Sequence, residues 1–283
     1  MNYIDLHVHS SKSDGTFTPA EVAERAAQHG LTAIALTDHD CVSGIAEAEC
    51  AAAKLRAAGH ALRIIPGVEI SADYKNGDIH ILGLFIEPSD SALTAALDEA
   101  IRCRDARNEK MVRRLRDAGI DITLDDLKLE AEDTVITRAH FARFLQLHGY
   151  VKSCSEAFRR YLDKGTPFYV PREYLQPERA IELIRGAGGV PVLAHPLLYH
   201  LTPDGVRELI ARLKAAGLGG IEAIYSANTG SDEGFVRQLA AQYGLAISGG
   251  SDFHGAAKPD IEIGIGRGRL RIPEELLDNL QRA

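Results

Sequence analysis

YIDLH (residues 3–7) and TAIALT (residues 32–37) flank the stretch TFTPAEVAERAAQHG (residues 16–30), and this unit decides the fold class. The two flanking runs are short and mostly apolar, which is typical of strands. In the stretch between them Thr18 precedes Pro19, and these residue types cap and begin a helix. A strand, a helix and a second strand in this order predict two parallel neighbours in one sheet, joined by a helical crossover.

Apolar runs of the same kind recur along the chain. They lie at residues 3–7, 32–37, 63–68, 79–85, 190–194, 220–225 and 245–248. Several are apolar throughout, as expected for parallel strands that are buried on both faces. The helical pattern also recurs, in LTPDGVRELIARLKAAG (residues 201–217). The sequence therefore predicts an α/β fold, and seven strands favour a distorted barrel over a regular eight-stranded one.

The alternation of strands and helices stops between residues 89 and 172, where the patterns are helical. We predict a barrel domain of residues 1–88 and 173–283, interrupted by a helical insertion of residues 89–172. Residues 99–172 carry a net charge of +3, so the rest of the chain, whose total is −8, carries −11. The insertion is interpreted either as a solvated helical segment or as a cap that helps to bind an anionic ligand.

The composition is that of an ordinary globular protein, with 283 residues of which 45% are hydrophobic and 25% charged. No run approaches the ~20 apolar residues that span a bilayer, and MNYIDLHVHS (residues 1–10) lacks the features of a secretory signal. The four cysteines show no CxxC spacing. We expect a cytoplasmic protein that binds neither membranes nor long nucleic acid, although a small phosphorylated ligand is compatible with its charge.

Polar side chains that can bind a metal ion lie at or after the ends of most of the predicted strands, and one, His80, lies near the start of the fourth. The set comprises His7, His9, Asp14, His39, Glu69, His80, His195, Asp252 and His254. Any one of them could instead cap a strand end or pack in the core. In barrel folds, however, the carboxyl ends of the strands meet at one rim, where active sites are built. So many potential ligands at strand ends therefore predict a metal centre at that rim.

The predicted donors are imidazole and carboxylate groups without a thiolate. This set suits Mn²⁺, Zn²⁺ or Fe²⁺ and differs from a structural cysteine-type zinc site. Nine ligands exceed the number that one ion usually takes, so we predict two or three divalent ions, with Mn²⁺ as the first choice and Glu69 as the bridge. Clustered dications can make hydroxide from water and stabilise both oxygens of an in-line displacement at phosphorus.

The ordered motifs HVHS (7–10), LTDHD (36–40), GVE (67–69), AHP (194–196) and GSDFH (250–254) resemble those of the PHP (polymerase and histidinol phosphatase) family. The resemblance implies a distorted seven-stranded barrel, the PHP fold, and metal-dependent hydrolysis of phosphoesters. It also implies three groups of metal ligands. These are His7, His9, Glu69 and Asp252 for one ion, Glu69, His80 and His195 for a second, and Asp14, His39 and His254 for a third.

The insertion and the run YLDKGTPFYVP (residues 161–171) are similar to a subgroup of that family that acts on nucleotides and on short RNA 5′ ends. The resemblance implies removal of the 3′-phosphate of nucleoside 3′,5′-bisphosphates by a metal-bound hydroxide. Two enzymatic alternatives stay open, a 5′–3′ exoribonuclease and a histidinol phosphatase. A metal-dependent nucleotide sensor is the non-enzymatic alternative.

Four basic residues in or beside the insertion are candidates for binding a second phosphate group, although each could equally be a surface charge. They are Arg138, Arg143, Lys164 and Arg172. Arginine suits this role because its guanidinium binds phosphate through two parallel hydrogen bonds. For protonation of the leaving group the sequence offers His254 and Asp40 as candidates.

Overall fold

Seven strands form one sheet in the computed structural model, which describes residues 2–75, 77–128, 134–171 and 175–283. The strands are β1 (Ile4–Val8), β2 (Ala33–Leu36), β3 (Arg63–Tyr74), β4 (Gly77–Leu84), β5 (Val190–Leu193), β6 (Gly220–Tyr225) and β7 (Ala246–Gly250). Their order in the sheet follows their order in the chain. Each predicted apolar run therefore contains a strand, and the α/β class is confirmed.

The longer helices are α1 (Pro19–Gln28), α2 (Ile45–Ala57), α3 (Ser91–Asp117), α4 (Arg138–Leu147), α6 (Pro177–Gly186), α7 (Pro203–Ala216) and α8 (Gly230–Tyr243). Two shorter ones are α5 (Cys154–Ala157) and α9 (Leu276–Leu280). Within the described ranges, no helix combines the length and the apolar character needed to cross a bilayer.

The sheet departs from the parallel arrangement at β4. This strand runs antiparallel to both of its neighbours, β3 and β5, whereas the other neighbouring pairs in the sheet order are parallel. The reason is the short connection between β3 and β4, which leaves no room for a helical crossover. The reversal has a consequence for the site, because the start of β4 lies at the same rim as the ends of the parallel strands.

The barrel is nearly closed, because the first and last strands approach each other beyond their regular pairing. The backbone N–H of Asp252 donates to the carbonyl of His7 at 2.9 Å, and that of His9 donates to the carbonyl of Phe253 at 3.0 Å. Both bonds join residues of the predicted metal motifs. Closure of the barrel therefore also brings the two ends of the chain to one site.

The helix signals of the sequence are confirmed at atomic level. The Thr18 hydroxyl accepts from the backbone N–H of Glu21, and the Glu21 carboxylate accepts from the backbone N–H of Thr18. Thr202 caps α7 in the same way through the N–H of Gly205. Such caps satisfy N–H groups that have no partner inside the helix.

The predicted insertion contains α3, α4 and α5, and its residues share an apolar cluster of their own. The largest buried members of this cluster include Phe141 and Phe144 on α4 and Met111 on α3. The other apolar clusters draw on residues of the barrel strands and of the helices that cover them. The domain boundaries inferred from the sequence stay a prediction.

Candidate metal centre

The nine predicted metal ligands converge at one rim of the barrel. His7 is the penultimate residue of β1 and His9 follows the strand, while His195 and Asp252 follow β5 and β7. His39 reaches the rim because the pairing of β2 with β3 continues past the regular strand, where His39 pairs with Glu69. The sequence therefore places these side chains through the strands that end next to them.

His80 lies near the beginning of β4 and still belongs to this rim. Its ring nitrogen Nδ1 is 2.9 Å from Oε1 of Glu69. In a parallel strand a residue at this position would lie at the opposite end of the barrel. The antiparallel direction of β4 puts it beside the ends of the parallel strands.

Glu69 is the centre of the cluster, and its buried carboxylate faces five imidazole rings. Oε1 lies 2.9 Å from Nδ1 of His80, 3.1 Å from Nε2 of His195 and 3.3 Å from Nε2 of His7. Oε2 lies 3.1 Å from Nδ1 of His39 and 3.3 Å from Nε2 of His9. A carboxylate with two oxygens turned to different sets of histidines has the geometry of a bridging ligand.

Asp14 organises a second part of the cluster. Its Oδ1 lies 3.2 Å from Nε2 of His254, and its Oδ2 lies 3.6 Å from Nε2 of His39. The hydroxyl of Thr137, the residue that caps α4, donates to Oδ2 of Asp14 at 2.9 Å. A side chain from the predicted insertion thus contacts a predicted metal ligand of the barrel.

Asp252 uses its two oxygens differently. Oδ1 faces the imidazole pair and lies 3.6 Å from Nε2 of His7 and 3.5 Å from Nε2 of His9. Oδ2 accepts hydrogen bonds from the Tyr225 hydroxyl at 2.8 Å and from Nζ of Lys258 at 2.7 Å. Because the second oxygen already has two donors, Asp252 presents one oxygen to the cluster.

Glu222 of β6 orients His7 from behind. Its Oε1 lies 3.0 Å from Nδ1 of His7, and its Oε2 accepts from the backbone N–H of His195 at 2.8 Å. A carboxylate beside Nδ1 keeps the proton on that nitrogen and leaves the lone pair on Nε2. The sequence analysis missed Glu222, and the signal was an acidic residue in the middle of the apolar strand GIEAIY.

The surroundings of the cluster keep its carboxylates ionised and one of its imidazoles neutral. Burial opposes ionisation, yet histidines nearby hold the pKa of Asp14 and of Glu69 well below its usual range. Burial also opposes the ionisation of Asp252, but the positive charge of Lys258 outweighs this and keeps the pKa of the carboxyl well below its usual range. Burial lowers the pKa of His39 to about 3, so this imidazole is neutral and has a lone pair to offer.

The donors fit divalent metal ions. Nε2 of His7 faces oxygens of Glu69 and Asp252 and lies 3.1 Å from Nε2 of His9. Burial opposes a positive charge on His7, yet the carboxylates of Glu69, Glu222 and Asp252 hold its pKa well above the usual range, so these atoms favour a positive charge among them, which a bound cation would supply. Three groups have ligand atoms within 4.8 Å of one another: His9, Asp14, His39 and His254; His7, His9 and Glu69; His39, Glu69 and His80. The oxygen and nitrogen donors suit the hard and borderline dications.

The cluster lies at one end of a cavity of about 740 Å³, within the range of about 300–1,000 Å³ that is typical of small-molecule sites. Arg138 and Arg143 line the same cavity. Arg138 is paired with Asp78 at 3.1 Å and lies over the ring of Tyr169. Two of the four predicted phosphate-binding residues therefore share a cavity with the predicted ligands.

Lys164 and Arg172 are the other two predicted phosphate-binding residues. Lys164 is not among the described residues that line the cavity. Arg172 lies outside the described residues. The structure adds three cations to the cavity wall that the sequence analysis did not assign to it, namely Arg104, Arg107 and Lys258. No local motif marks them, because they meet the site only through the packing of α3 and of the turn after β7.

The two candidate proton donors both have partners. Asp40 forms a buried ion pair with Arg104 and accepts from the backbone N–H of Ser71 at 3.1 Å. Such a pair favours the ionised carboxylate, which has no proton to donate. Nδ1 of His254 lies 2.9 Å from the backbone carbonyl oxygen of Asp252, and the other ring nitrogen, Nε2, faces Asp14. This orientation suits a metal ligand, and the role of either residue as an acid stays a prediction.

Comparisons with known proteins agree with this site. The model of the PHP domain family matches residues 5–218. The 5′-3′ exoribonuclease of Haemophilus influenzae is 39% identical to the chain over 250 residues, which cover 88% of the chain and 89% of the relative. The 3′,5′-nucleoside bisphosphate phosphatase of Chromobacterium violaceum is 38% identical over 265 residues, covering 93% and 91%.

A solved structure shows the same architecture. It is that of a protein from Bifidobacterium adolescentis, described as a proposed metal-dependent phosphoesterase, with a TM-score of 0.86 and 29% identity. The superposition covers 99% of this chain and 95% of that one. The family match, the relatives and the cluster of imidazoles and carboxylates agree. The chain therefore belongs to the PHP domain family and is a metal-dependent phosphoesterase.

Proposed function

We propose that the protein removes the 3′-phosphate of nucleoside 3′,5′-bisphosphates to give a 5′-nucleotide and phosphate. The observation that carries the proposal is the presence of Arg138 and Arg143 in the wall of the cavity that contains the metal-ligand cluster. A bisphosphate has two anionic groups, and the cavity offers one end for the reacting phosphate and a cationic wall for the other. The bisphosphate phosphatase of Chromobacterium violaceum supports the same choice of substrate.

The predicted ligands would hold two or three divalent ions, and we propose Mn²⁺. His7, His9 and Asp252 would share one ion with Glu69, and His80 and His195 would share another with it. Asp14, His39 and His254 would hold the third. When bound, such ions activate water and neutralise phosphate charge.

The chain's own residues prepare the site for this chemistry. Glu222 fixes the tautomer of His7 and so keeps the Nε2 lone pair directed at the cluster. Tyr225 holds one oxygen of Asp252, which leaves the other for the cluster. These buried hydrogen bonds set the positions of the ligands before the substrate binds, and such preorganisation lowers the cost of reaching the transition state.

At the wall of the cavity, the guanidinium of Arg138 is already oriented by two partners. Asp78 accepts from it, and the ring of Tyr169 lies beneath it with 5.9 Å between the guanidinium carbon and the ring centre. A guanidinium oriented in this way loses little conformational entropy when it binds a phosphate. Arg138 and Arg143 would therefore hold the 5′-phosphate while the 3′-phosphate lies at the cluster.

A second candidate function is 5′–3′ hydrolysis of short RNA from its phosphorylated end. The relative from Haemophilus influenzae, named a 5′-3′ exoribonuclease, is as similar to this chain as the phosphatase is. The same cavity suits both substrates, since each brings a phosphoester and a second phosphate. The net charge of −8 disfavours long nucleic acid, so we propose small nucleotides or short RNA 5′ ends as substrates, met in the cytoplasm.

The substrates can be compared directly with the Mn²⁺-loaded protein. Adenosine 3′,5′-bisphosphate, a 5′-phosphorylated dinucleotide and histidinol phosphate are supplied at equal concentrations, and the products are separated by chromatography. We expect the highest kcat/KM for the bisphosphate, with adenosine 5′-phosphate as the product. Much faster turnover of the dinucleotide would establish the exoribonuclease instead, and a preference for histidinol phosphate would reject both.

The two ends of the cavity can be tested separately. Asp252→Asn or His7→Ala should abolish hydrolysis and lower metal content, because each removes a ligand of the cluster. Arg143→Ala should raise KM for the bisphosphate and leave the hydrolysis of adenosine 3′-phosphate, which lacks the 5′-group, nearly unchanged. Arg237→Ala, at a surface helix and paired with Glu233, is the matched control. Equal effects of Arg143→Ala on both substrates would contradict the assignment of the cationic wall.

A further inference from the structure

Lys258 lies between a predicted metal ligand and the cavity. It follows the short turn Gly255–Ala257 that comes after β7, and its side chain lines the cavity. Its Nζ donates to Oδ2 of Asp252 at 2.7 Å, while 37% of the side chain remains exposed. The ammonium group is therefore held at the cluster by a side chain that lines the cavity.

The hydrogen bonds of Lys258 leave part of its ammonium group unused. An ammonium group has three N–H donors. Among the described residues, the structure gives this side chain one hydrogen-bond acceptor, Asp252. Two donors therefore remain for a ligand that enters the cavity.

Asp252 does not need Lys258 in order to satisfy Oδ2. The hydroxyl of Tyr225 already donates to that oxygen at 2.8 Å. Holding a strongly hydrated ammonium ion beside a buried carboxylate costs solvation free energy. A second anion that contacts the same ammonium group during binding would offset that cost.

The position of Lys258 also differs from that of the other cations of the cavity. Arg104 is paired with Asp40, and Arg138 is paired with Asp78, neither of which is a predicted metal ligand. Lys258, by contrast, is paired with Asp252, a carboxylate of the cluster. Lys258 therefore lies at the cluster, where the proposed function puts the phosphate that reacts, and not at the wall that would hold the second phosphate.

We propose that Lys258 binds an oxygen of the phosphate group undergoing hydrolysis, through the ammonium donors that Asp252 does not use. The inference deepens the proposed function but rests only on phosphoester chemistry, because it concerns the reacting group and not the nucleoside. A phosphate dianion that approaches Asp14, Glu69 and Asp252 meets three negative charges. A positive charge on this side of the cluster compensates for that repulsion in addition to the metal ions.

The test measures equilibrium binding of phenylphosphonate, which carries a phosphate-like group and cannot be hydrolysed. Isothermal titration is carried out with the Mn²⁺-loaded wild type and with Lys258→Met. A charge-assisted hydrogen bond contributes about 1.5–3 kcal/mol, so we expect the dissociation constant to rise roughly 10- to 100-fold. Lys75→Met, which removes an exposed lysine paired with Glu208, should leave it unchanged.

A separate titration with Mn²⁺ distinguishes phosphate binding from a role in positioning Asp252. We expect Lys258→Met to keep the metal stoichiometry and affinity of the wild type. An unchanged affinity for phenylphosphonate would overturn the proposal, and so would a loss of metal affinity that accounts for weaker phosphonate binding. If Lys258→Met does not fold, Lys258→Gln retains a donor for Asp252 without the charge and should show the same rise. Because the probe has no nucleoside, the result does not depend on whether bisphosphates are the substrate.

Discussion

Oε1 of Glu222 lies 3.0 Å from Nδ1 of His7, and both side chains are fully buried. The other oxygen of Glu222 accepts from the backbone N–H of His195 at 2.8 Å. One carboxylate on β6 therefore fixes a ligand after β5 and a ligand on β1. Residues behind the ligands of a metal site determine how those ligands are oriented.

Glu222→Gln should weaken metal binding without removing a ligand. Glutamine has a single acceptor oxygen, but Glu222 accepts from two donors, so the new amide N–H₂ must face either His7 or His195. We expect a roughly 10- to 100-fold loss of metal affinity, measured by titration with Mn²⁺. Glu208→Gln, on the exposed face of α7, is the control. An unchanged affinity would show that Glu222 does not orient His7.

Gly250→Ala should disrupt the site because β1 passes very close to Gly250. A Cβ there would lie 2.1 Å from Cβ of His7 and 2.8 Å from Oε1 of Glu222. Overpacking of this kind costs about 1–3 kcal/mol, and the displaced His7 should lose its place in the cluster. The unfolding temperature and the rate of phosphate release should therefore both fall.

The control for Gly250→Ala is a glycine substitution that should raise the free energy of unfolding instead of lowering it. Gly234 lies on α8, and a Cβ there would meet no atom within 4 Å. Gly234→Ala should raise the free energy of unfolding by about 0.5–1 kcal/mol, because alanine loses less conformational entropy in a helix. If both variants had the same Tm, the close approach at Gly250 would not control stability.

Thr137 connects the helices of the predicted insertion to the metal centre, and two substitutions separate its roles. Its hydroxyl donates to Asp14 at 2.9 Å and accepts from the backbone N–H of Ala139 at the start of α4. Thr137→Val removes both hydrogen bonds, whereas Thr137→Ser retains both. We expect the valine variant to lose about 1 kcal/mol of stability from the cap and about 10- to 100-fold in metal affinity. Identical behaviour of the two variants would contradict a role in orienting Asp14.

The raised pKa of Asp5 predicts that the free energy of unfolding depends on pH. Burial raises the pKa of Asp5 from 3.8 to about 6, although backbone N–H groups, among them that of Gly264, partly oppose this. As the pH rises from 4 towards 6, the unfolded chain releases this proton before the folded one does. The free energy of unfolding should therefore fall by about 2 kcal/mol over that interval, out of a total of about 3 kcal/mol that the size of the shift sets for the whole titration.

Asp5→Asn removes this titration and provides the reference for the measurement. Urea unfolding of the metal-free proteins at pH 4 and pH 7 gives the difference in stability between wild type and variant at each pH. We expect the wild type to lose about 2.5 kcal/mol relative to Asp5→Asn between these values. A difference that stays constant with pH would show that Asp5 titrates at the same pH in both states.

Local patterns were sufficient where the structure depends on neighbours in the chain. The capping residues Thr18 and Thr202 predict the starts of α1 and α7, since a cap involves only the next three residues. His80 could be recognised as a ligand type but not explained, because its place at the rim follows from the reversed direction of β4. That reversal follows from the short connection between β3 and β4, which the sequence analysis did not interpret as a hairpin.

The supporting residues of the site were beyond the reach of local patterns. Glu222 and Lys258 carry no motif, and each gains its role from one contact, with His7 and Asp252 respectively. Asp40 is one of the two candidate acids that the sequence offers. Its pairing with Arg104 from α3 appears only when the chain is folded.

The sequence by itself determined the fold class, the seven strands and the ligand types of the metal centre. It could do so because the period of apolar residues and the polar residues at strand ends are encoded within a few positions of each other. The tertiary structure alone decided which oxygen of each carboxylate faces the cluster, which cations line the cavity and which side chains hold the ligands. These depend on contacts between residues up to about 250 positions apart, such as the approach of Ser251 to Asp5, and closure of the barrel creates them.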